Sequence, residues 1–178
     1  VFNRVAIPDY LKKTFFIEGG SLAVENALKV AFDWKKRKNL AKGVDVGDLK
    51  VLYFKEAFHG RSGYTLSLTN TSDPRKTMYF PKFDWPKITN PKLEFPFTDQ
   101  GISDTIENED LAVEEIKMAI ESNPDQISSL IIEPIQGEGG DNHFRCRFFE
   151  KLRELADKYE FLLIYDEVQT GVGITGKM

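Results

Sequence analysis

The sequence has few residues of the kinds that build disulfide bonds and metal centres, with one cysteine and two histidines among 178 residues. Cys146 has no second cysteine with which to form an internal disulfide bond. With only His59 and His143 beside it, it cannot complete a cysteine-rich zinc site either. We therefore predict no metal site. A lone free thiol is typical of a reducing compartment such as the cytoplasm.

The sequence also lacks an excess of positive charge and a long apolar run. It contains 24 Lys+Arg and 28 Asp+Glu, a formal charge of −4, which argues against binding a nucleic acid through its phosphates. No apolar run approaches the roughly 18 residues that span a bilayer, and residues 1–4 do not begin a secretory signal. We expect neither nucleic acid nor membrane as a partner. A hydrophobic fraction of 41% suits a packed core and excludes intrinsic disorder.

Helical stripes alternate along the chain with short, largely apolar strands. The predicted helices cover residues 20–38, 109–122 and 148–159, and the predicted strands cover residues 51–54, 127–132 and 161–165. The stripe of the first helix that we expect to face the core consists of Leu22, Ala23, Ala27, Val30, Ala31 and Trp34. Residues 73–98 hold five of the eight prolines, which predicts a packed loop. The pattern predicts an α/β fold, a mostly parallel sheet with helices on both faces.

Polar groups follow the ends of all three predicted strands. His59-Gly60-Arg61 comes after the first, Glu133 after the second and Asp166-Glu167 after the third. In parallel sheets ligands bind beyond the carboxyl ends of the strands, and a carboxylate there is costly to bury without a partner. The pattern indicates a binding site at this edge. The alternative is that each acid caps a neighbouring helix or faces water.

Two glycine-rich turns bear on the ligand that such a site would hold. Gly20-Ser21 begins the first helix, where free backbone amides favour a phosphate, with an ordinary helix cap as the alternative. Residues 137–140 match neither the G-x-x-x-x-G-K-[ST] nor the G-x-G-x-x-G motif, which excludes nucleoside triphosphates and dinucleotides. A phosphate cradle, Phe58 to stack on a ring and Asp166 to hold a protonated ring nitrogen together describe pyridoxal phosphate.

Four longer segments carry a family resemblance. They are FFIEGGSLAVENALKVAFDWKKR (residues 15–37), EAFHGRSGYTLSLTNT (56–71), IEPIQGEGGDNHFR (132–145) and DEVQTGVGITG (166–176). Together and in this order they resemble the class III, or ω-amino-acid, aminotransferases, pyridoxal-phosphate enzymes of fold type I. Within that class the resemblance is strongest to the lysine ε-aminotransferase subgroup, through the first segment and the long proline-rich loop.

The resemblance implies a role for each residue that matches the family's motifs. At the cofactor it places Gly20 and Ser21 on the phosphate, Phe58 and His59 at the ring, Asp166 on the ring nitrogen and Gln169 beside the ring hydroxyl. Arg61 matches the position that grips the substrate α-carboxylate, and Glu138 the position that changes partners as substrates alternate. Asp166 and Glu138 are the expected catalytic residues. For His59 and Glu133 a purely structural role is an equally open alternative.

The resemblance also implies that the chain is only part of such an enzyme. The family's Schiff-base lysine lies well beyond the last motif, and Lys177 follows that motif too closely to match it. The N-terminal segment and the C-terminal small domain have no counterpart. We therefore interpret residues 1–178 as a partial large, cofactor-binding domain and expect this chain alone to be inactive.

For the complete enzyme, the resemblance implies transfer of the ε-amino group of L-lysine to 2-oxoglutarate. The products are glutamate and 2-aminoadipate 6-semialdehyde, which cyclises. It further implies a homodimer in the cytoplasm. Two alternatives stay open at this point. One is another ω-aminotransferase, acting on ornithine, acetylornithine or 4-aminobutyrate, and the other is a non-catalytic module that binds pyridoxal phosphate or a partner.

Overall fold

A four-stranded sheet lies at the centre of the computed structural model, which describes residue 7, residues 10–11 and residues 13–176. Its strands are β1 (Lys50–Phe54), β2 (Lys87–Ile88), β3 (Ile127–Ile132) and β6 (Leu162–Tyr165). They lie in the order β2-β1-β3-β6, and every neighbouring pair is parallel. Two shorter strands, β4 (Ile135–Gln136) and β5 (Asn142–His143), form a separate antiparallel pair. The three predicted strands are confirmed to within one residue at each end.

Helices cover both faces of this sheet, as predicted. They are α1 (Gly20–Ala41), α2 (Asp99–Ser122) and α3 (Cys146–Tyr159). Because side chains alternate across a strand, Val51 and Ile131 pack with α1 on one face, whereas Leu52 and Leu130 pack with α2 and α3 on the other. The architecture is therefore α/β with a parallel sheet, consistent with part of a fold type I domain.

The predicted core face of α1 is wrong. Ala31 is buried as predicted, but Leu22 and Val30 are 43% and 66% exposed, and the buried line reaches Ala31 through Val24 and Leu28. Two buried polar residues, Lys35 and Asn39, continue that line along the helix. Lys35 Nζ donates to Glu160 O at 2.9 Å and Asn39 Nδ2 donates to Asp125 O at 2.8 Å. A stripe defined only by apolar residues misses this face, because its second half is polar and satisfied by backbone carbonyls.

Helix α2 begins ten residues before the predicted start at residue 109. Thr98 is its N-cap, and the Thr98 hydroxyl accepts a hydrogen bond from the Gly101 amide at 3.1 Å. Ile102 and Ile106 in its first turns are exposed, and buried apolar residues appear only at Ala112 and Ile116. The capping signal therefore set the start of this helix, and the periodicity set only its buried half.

The proline-rich segment 73–98 is packed only in part: Trp85 and Ile88 are buried, whereas residues 79–84 and 94–98 are exposed. It contains a short 3-10 helix (Pro74–Lys76) and strand β2. Trp85 is buried and stacks on Phe83, with ring centroids 5.0 Å apart, and on Tyr64 at 6.1 Å. Throughout the described residues, no helix has the length and apolar character needed to cross a membrane.

Candidate active site

A small pocket of about 80 Å³ lies beyond the carboxyl ends of β1, β3 and β6, where the N-terminus of α1 meets them. It is lined by Gly20, Ser21, Phe58, His59, Gly60, Glu133, Asp166, Val168 and Gln169. All six residues that the sequence predicts at the cofactor are in this set. Arg61 and Glu138, the predicted substrate residues, are not among the lining residues.

The register of the sheet brings two acids of the pocket together. Ile132 of β3 pairs with Tyr165 of β6, and the Asp166 amide donates to Ile132 O at 2.9 Å. The residues that follow these partners, Glu133 and Asp166, therefore leave the sheet side by side. Both are buried.

Asp166 is oriented by His59. The Asp166 Oδ2 and His59 Nδ1 atoms are 2.7 Å apart, and both side chains are almost fully buried. Because a carboxylate only accepts hydrogen bonds, the bridging hydrogen is on Nδ1. Asp166 Oδ1 accepts a second bond from the Val168 amide at 3.1 Å. Each oxygen keeps lone-pair capacity, so the carboxylate remains able to accept from a ligand in the pocket.

His59 has a further polar atom with no partner. Its Nε2 atom is buried and makes no hydrogen bond within the part of the chain that the structure describes. The His59 amide donates to Thr69 Oγ1 at 3.1 Å, so its backbone is satisfied locally. A buried imidazole nitrogen beside a pocket is an unusual feature, because most buried polar atoms are paired.

Glu133 supports the backbone of the ring-stacking residue. Its Oε1 atom accepts from the Phe58 amide at 2.9 Å. Burial raises the pKa of Glu133 to about 6, with the charge of Asp166 acting in the same direction. The Phe58 and Gly137 amides and the charge of His59 oppose this shift. Phe58 itself is half-buried, so one part of it faces the pocket.

The N-terminus of α1 offers free amides to an anion. Its N-cap is Gly19, which has φ +80° and no side chain to cap the first turn. The first amides of the helix therefore lack a capping side chain, and the positive end of the helix dipole faces the pocket. Glycine is itself a common N-cap residue, so an ordinary helix start stays an alternative to the phosphate cradle.

Two glycines leave no space for a side chain next to the pocket. A Cβ atom on Gly20 would lie 2.9 Å from two carbons of Val168, and one on Gly60 would lie 2.0 Å from Ser21 Oγ. Gly60 also has φ +120°, a conformation that favours glycine. Close approach of the chain at the helix N-terminus thus depends on both positions.

Neither of the two predicted substrate residues lines the pocket, and no hydrogen bond or ion pair joins these two described residues to each other. Arg61 is exposed and makes no hydrogen bond or ion pair with the described residues. Glu138 Oε1 accepts from Thr71 Oγ1 at 2.9 Å and forms an ion pair with Lys76, while its Oε2 atom is buried without a described partner. Sequence reasoning missed Lys76, because only the fold of the proline-rich loop brings it to Glu138.

Among the described residues, no lysine lines the pocket. Lys177, which follows the last motif too closely to match the family's lysine, lies outside the described residues. The described residues also contain no group of three or more His, Cys, Asp or Glu side chains placed to hold a metal ion.

Comparison with known proteins identifies the family to which the chain is similar. The profile described as Aminotransferase class-III matches residues 3–178. The L-lysine-epsilon aminotransferase of Mycobacterium tuberculosis is 53% identical over 98% of this chain and 38% of that protein. The solved structure of lysine aminotransferase from M. tuberculosis in the internal aldimine form has a TM-score of 0.93 at 51% identity, over 99% of this chain and 40% of that one. The 4-aminobutyrate aminotransferase of Emericella nidulans is 35% identical over 96% of this chain and 37% of that protein.

The chain spans about 38% of the length of the curated lysine relatives that it matches. Class III aminotransferases depend on pyridoxal phosphate, and the residues of the pocket fit this group. The uncapped helix N-terminus suits its phosphate, and the buried, His59-oriented carboxylate of Asp166 suits its protonated ring nitrogen. The site and the family match over residues 3–178 agree, and the chain belongs to the class III aminotransferases.

Proposed function

We propose that the complete protein transfers the ε-amino group of L-lysine to 2-oxoglutarate, giving glutamate and 2-aminoadipate 6-semialdehyde, which cyclises. The observation that carries this proposal is the difference in identity between two kinds of relative. Three mycobacterial lysine ε-aminotransferases are 53% identical to the chain, whereas the 4-aminobutyrate aminotransferase of E. nidulans is 35% identical over a similar length. A lysine donor is therefore favoured over 4-aminobutyrate.

In this proposal the pocket residues hold the cofactor. Gly20 and Ser21 bind its phosphate, Phe58 stacks on its ring, and Gln169 lies beside its ring hydroxyl. Asp166, oriented by His59, holds the proton on the ring nitrogen. When bound, pyridoxal phosphate supplies an electron sink that lets an amine-bearing carbon lose a proton.

Arg61 and Glu138 bind substrate in this proposal. The Arg61 guanidinium has no described partner, and its fork of donors matches a carboxylate. Glu138 is held by Thr71 and Lys76, and the unpaired Glu138 Oε2 atom is available to a further partner. Lys76 thus provides a counter-ion that Glu138 can exchange as substrates alternate.

The alternative of a non-catalytic, cofactor-binding module is favoured for the described residues by themselves, but not for the complete protein. Since no described lysine lines the pocket, residues 13–176 can bind the cofactor only without a covalent bond in this site. We propose that the chain by itself has no transaminase activity. Steady glutamate production by the purified 178-residue chain, from L-lysine and 2-oxoglutarate, would contradict this.

We also propose that the complete protein is a homodimer in the cytoplasm. Large apolar side chains, including Phe15, Leu22 and Val30, are exposed beside and along α1. Cys146 is free and exposed, which suits a reducing compartment. Light scattering on the complete protein should give twice the mass of one chain, and a monomer would rule out the dimer.

A comparison of amine donors tests the proposed reaction. The complete protein is assayed with 2-oxoglutarate and L-lysine, L-ornithine, N-acetylornithine or 4-aminobutyrate, and glutamate is measured. We expect kcat/KM to be highest for L-lysine, by about 10-fold or more. A higher value for any other donor would replace the lysine assignment with that donor.

A further inference from the structure

Glu25 is a buried carboxylate that the assignments above do not use. It lies in the second turn of α1 and is 8% exposed. Its Oε1 atom accepts three hydrogen bonds: from Ser62 Oγ at 2.9 Å, from the Tyr64 amide at 2.8 Å and from the Thr65 amide at 3.4 Å. All three donors belong to the loop that follows Arg61. Glu25 therefore fastens this loop to α1.

The same loop carries the hydroxyls that contact Ser21. Ser21 Oγ lies 3.0 Å from Thr65 Oγ1 and 3.1 Å from Ser62 Oγ. Thr65 Oγ1 also accepts from the Ser62 amide at 3.1 Å. Four side chains, from Ser21, Glu25, Ser62 and Thr65, thus form one connected network at the N-terminus of α1.

Ser62 links Glu25 to Ser21, as the number of hydrogens available to each side chain shows. Because the Glu25 carboxylate only accepts, the single hydroxyl hydrogen of Ser62 points to it. Ser62 Oγ is then an acceptor toward its neighbours, and the Ser21 hydrogen can point to Ser62, to Thr65 or to a ligand anion. The network fixes the position of the Ser21 hydroxyl, and the hydroxyl hydrogen can still be donated to an anion bound in the pocket.

Space next to Gly60 is tight, so Ser21 and Thr65 cannot shift independently. A Cβ atom on Gly60 would lie 2.8 Å from Thr65 Oγ1 as well as 2.0 Å from Ser21 Oγ. A movement of residues 62–65 would therefore displace Ser21, because the groups are in direct contact.

We propose that Glu25 is a positioning residue for the phosphate end of the cofactor site. It holds residues 62–65 against α1 and so sets where the Ser21 hydroxyl lies relative to the free amides of the helix. This inference rests on the proposed function, since it takes Gly20 and Ser21 as the phosphate cradle. The ring end of the site, with Phe58 and Asp166, makes no hydrogen bond to the network.

The test compares binding of pyridoxal phosphate with binding of pyridoxal, which has the same ring and aldehyde but no phosphate. Dissociation constants of both are measured on the complete apo-protein, with the thermal midpoint as a measure of stability. The ratio of the two constants isolates the phosphate. A role in stability alone would lower the thermal midpoint and leave this ratio unchanged.

Glu25→Ala should weaken binding of pyridoxal phosphate by about 10-fold and change binding of pyridoxal by less than about twofold. Ser62→Ala, which keeps the Glu25 bonds to the Tyr64 and Thr65 amides, should act in the same direction by about threefold. Glu25→Gln keeps a carbonyl acceptor and should restore the ratio to near its original value. If Glu25→Ala does not fold, Ser62→Ala alone decides, and an unchanged ratio in that variant overturns the role of Glu25.

Glu109→Ala is the matched control, because Glu109 is a fully buried carboxylate on α2, ion-paired with Arg145 and Lys151. We expect it to lower the thermal midpoint and leave the ratio unchanged. An unchanged ratio in both Glu25→Ala and Ser62→Ala would overturn the role of Glu25 while the proposed function stands. Failure of the unsubstituted protein to bind either compound would instead overturn the proposed function, and this inference with it.

Discussion

The burial of Glu133 makes the stability of the fold depend on pH. Its pKa is 4.5 in an unperturbed chain and about 6 in the folded protein. Between these values the folded state binds more protons than the unfolded state, so the free energy of unfolding falls as pH rises through this window. The shift corresponds to about 2 kcal/mol, present below pH 4.5 and lost above pH 6.

Glu133→Gln removes this titration and keeps an oxygen that can accept from the Phe58 amide. We expect the variant to match the original protein near pH 4 and to be more stable by about 2 kcal/mol at pH 7.5. Urea unfolding at the two pH values measures the difference. Glu150→Gln, at an exposed position on α3, is the control and should change neither value. Equal stability of Glu133→Gln and the original protein at both pH values would contradict the burial argument.

Asp166 is the residue on which the proposed chemistry depends most. In the complete enzyme, Asp166→Asn should lower kcat with L-lysine by about 100-fold or more, because a neutral amide does not hold a proton on the ring nitrogen. Binding of pyridoxal phosphate should persist, since the phosphate cradle is intact. Asp157→Asn, an exposed change on α3, is the matched control. Unchanged turnover in Asp166→Asn would refute the role given to Asp166.

The sequence predicted individual residues of the site where those residues belong to a recognisable motif. Six predicted cofactor residues line one pocket because they directly follow strands or begin a helix, and a parallel sheet brings those points together. Glu25 and Lys76 were not predictable in the same way. Their partners Ser62 and Glu138 lie 37 and 62 residues away in the sequence, and only the folded loops bring them into contact.

At the scale of elements, the buried face of α1 makes a direct prediction. Leu28 is fully buried between α1 and the sheet, whereas Val30 is exposed in this chain. Leu28→Ala should lower the free energy of unfolding by about 2–5 kcal/mol, because it leaves a cavity. Val30→Ala should change it by no more than about 0.5 kcal/mol. Urea unfolding of the 178-residue chain measures both changes. Similar losses of unfolding free energy in the two variants would contradict the buried face seen in the structure and favour the face predicted from periodicity.

Whether a segment forms a helix or a strand was largely predictable from the sequence, whereas the residues at which each one begins and ends were less so. Residues 161–165 are a short apolar run, and such a run is a direct signal for a buried parallel strand. Residues 127–132 give a weaker signal, because Ser128 and Ser129 interrupt the apolar residues, although both serines are buried in the strand. Strand β2 has two residues between prolines 86 and 91, too short a stretch to show a pattern. The start of α2 depends on the Thr98 cap, which a search for apolar periodicity does not weigh.

At the scale of the whole molecule, the sequence pattern predicted the fold class and left the strand order open. The order β2-β1-β3-β6 places the first predicted strand next to the second and the third beyond it. This order puts the three strand ends and the N-terminus of α1 around one pocket. The pocket is assembled entirely from the described residues, although the chain spans about 38% of its lysine relatives.

The measurement that tests the account most directly is covalent trapping of the cofactor. The complete protein and the 178-residue chain are each incubated with pyridoxal phosphate and reduced with borohydride, and the intact masses and labelled peptides are determined. We predict one cofactor per chain in the complete protein, on a lysine outside residues 1–178, and no stoichiometric label in the 178-residue chain. Stoichiometric labelling of any lysine within residues 1–178, with Lys177 the first to examine, or no labelling of the complete protein, would contradict the account.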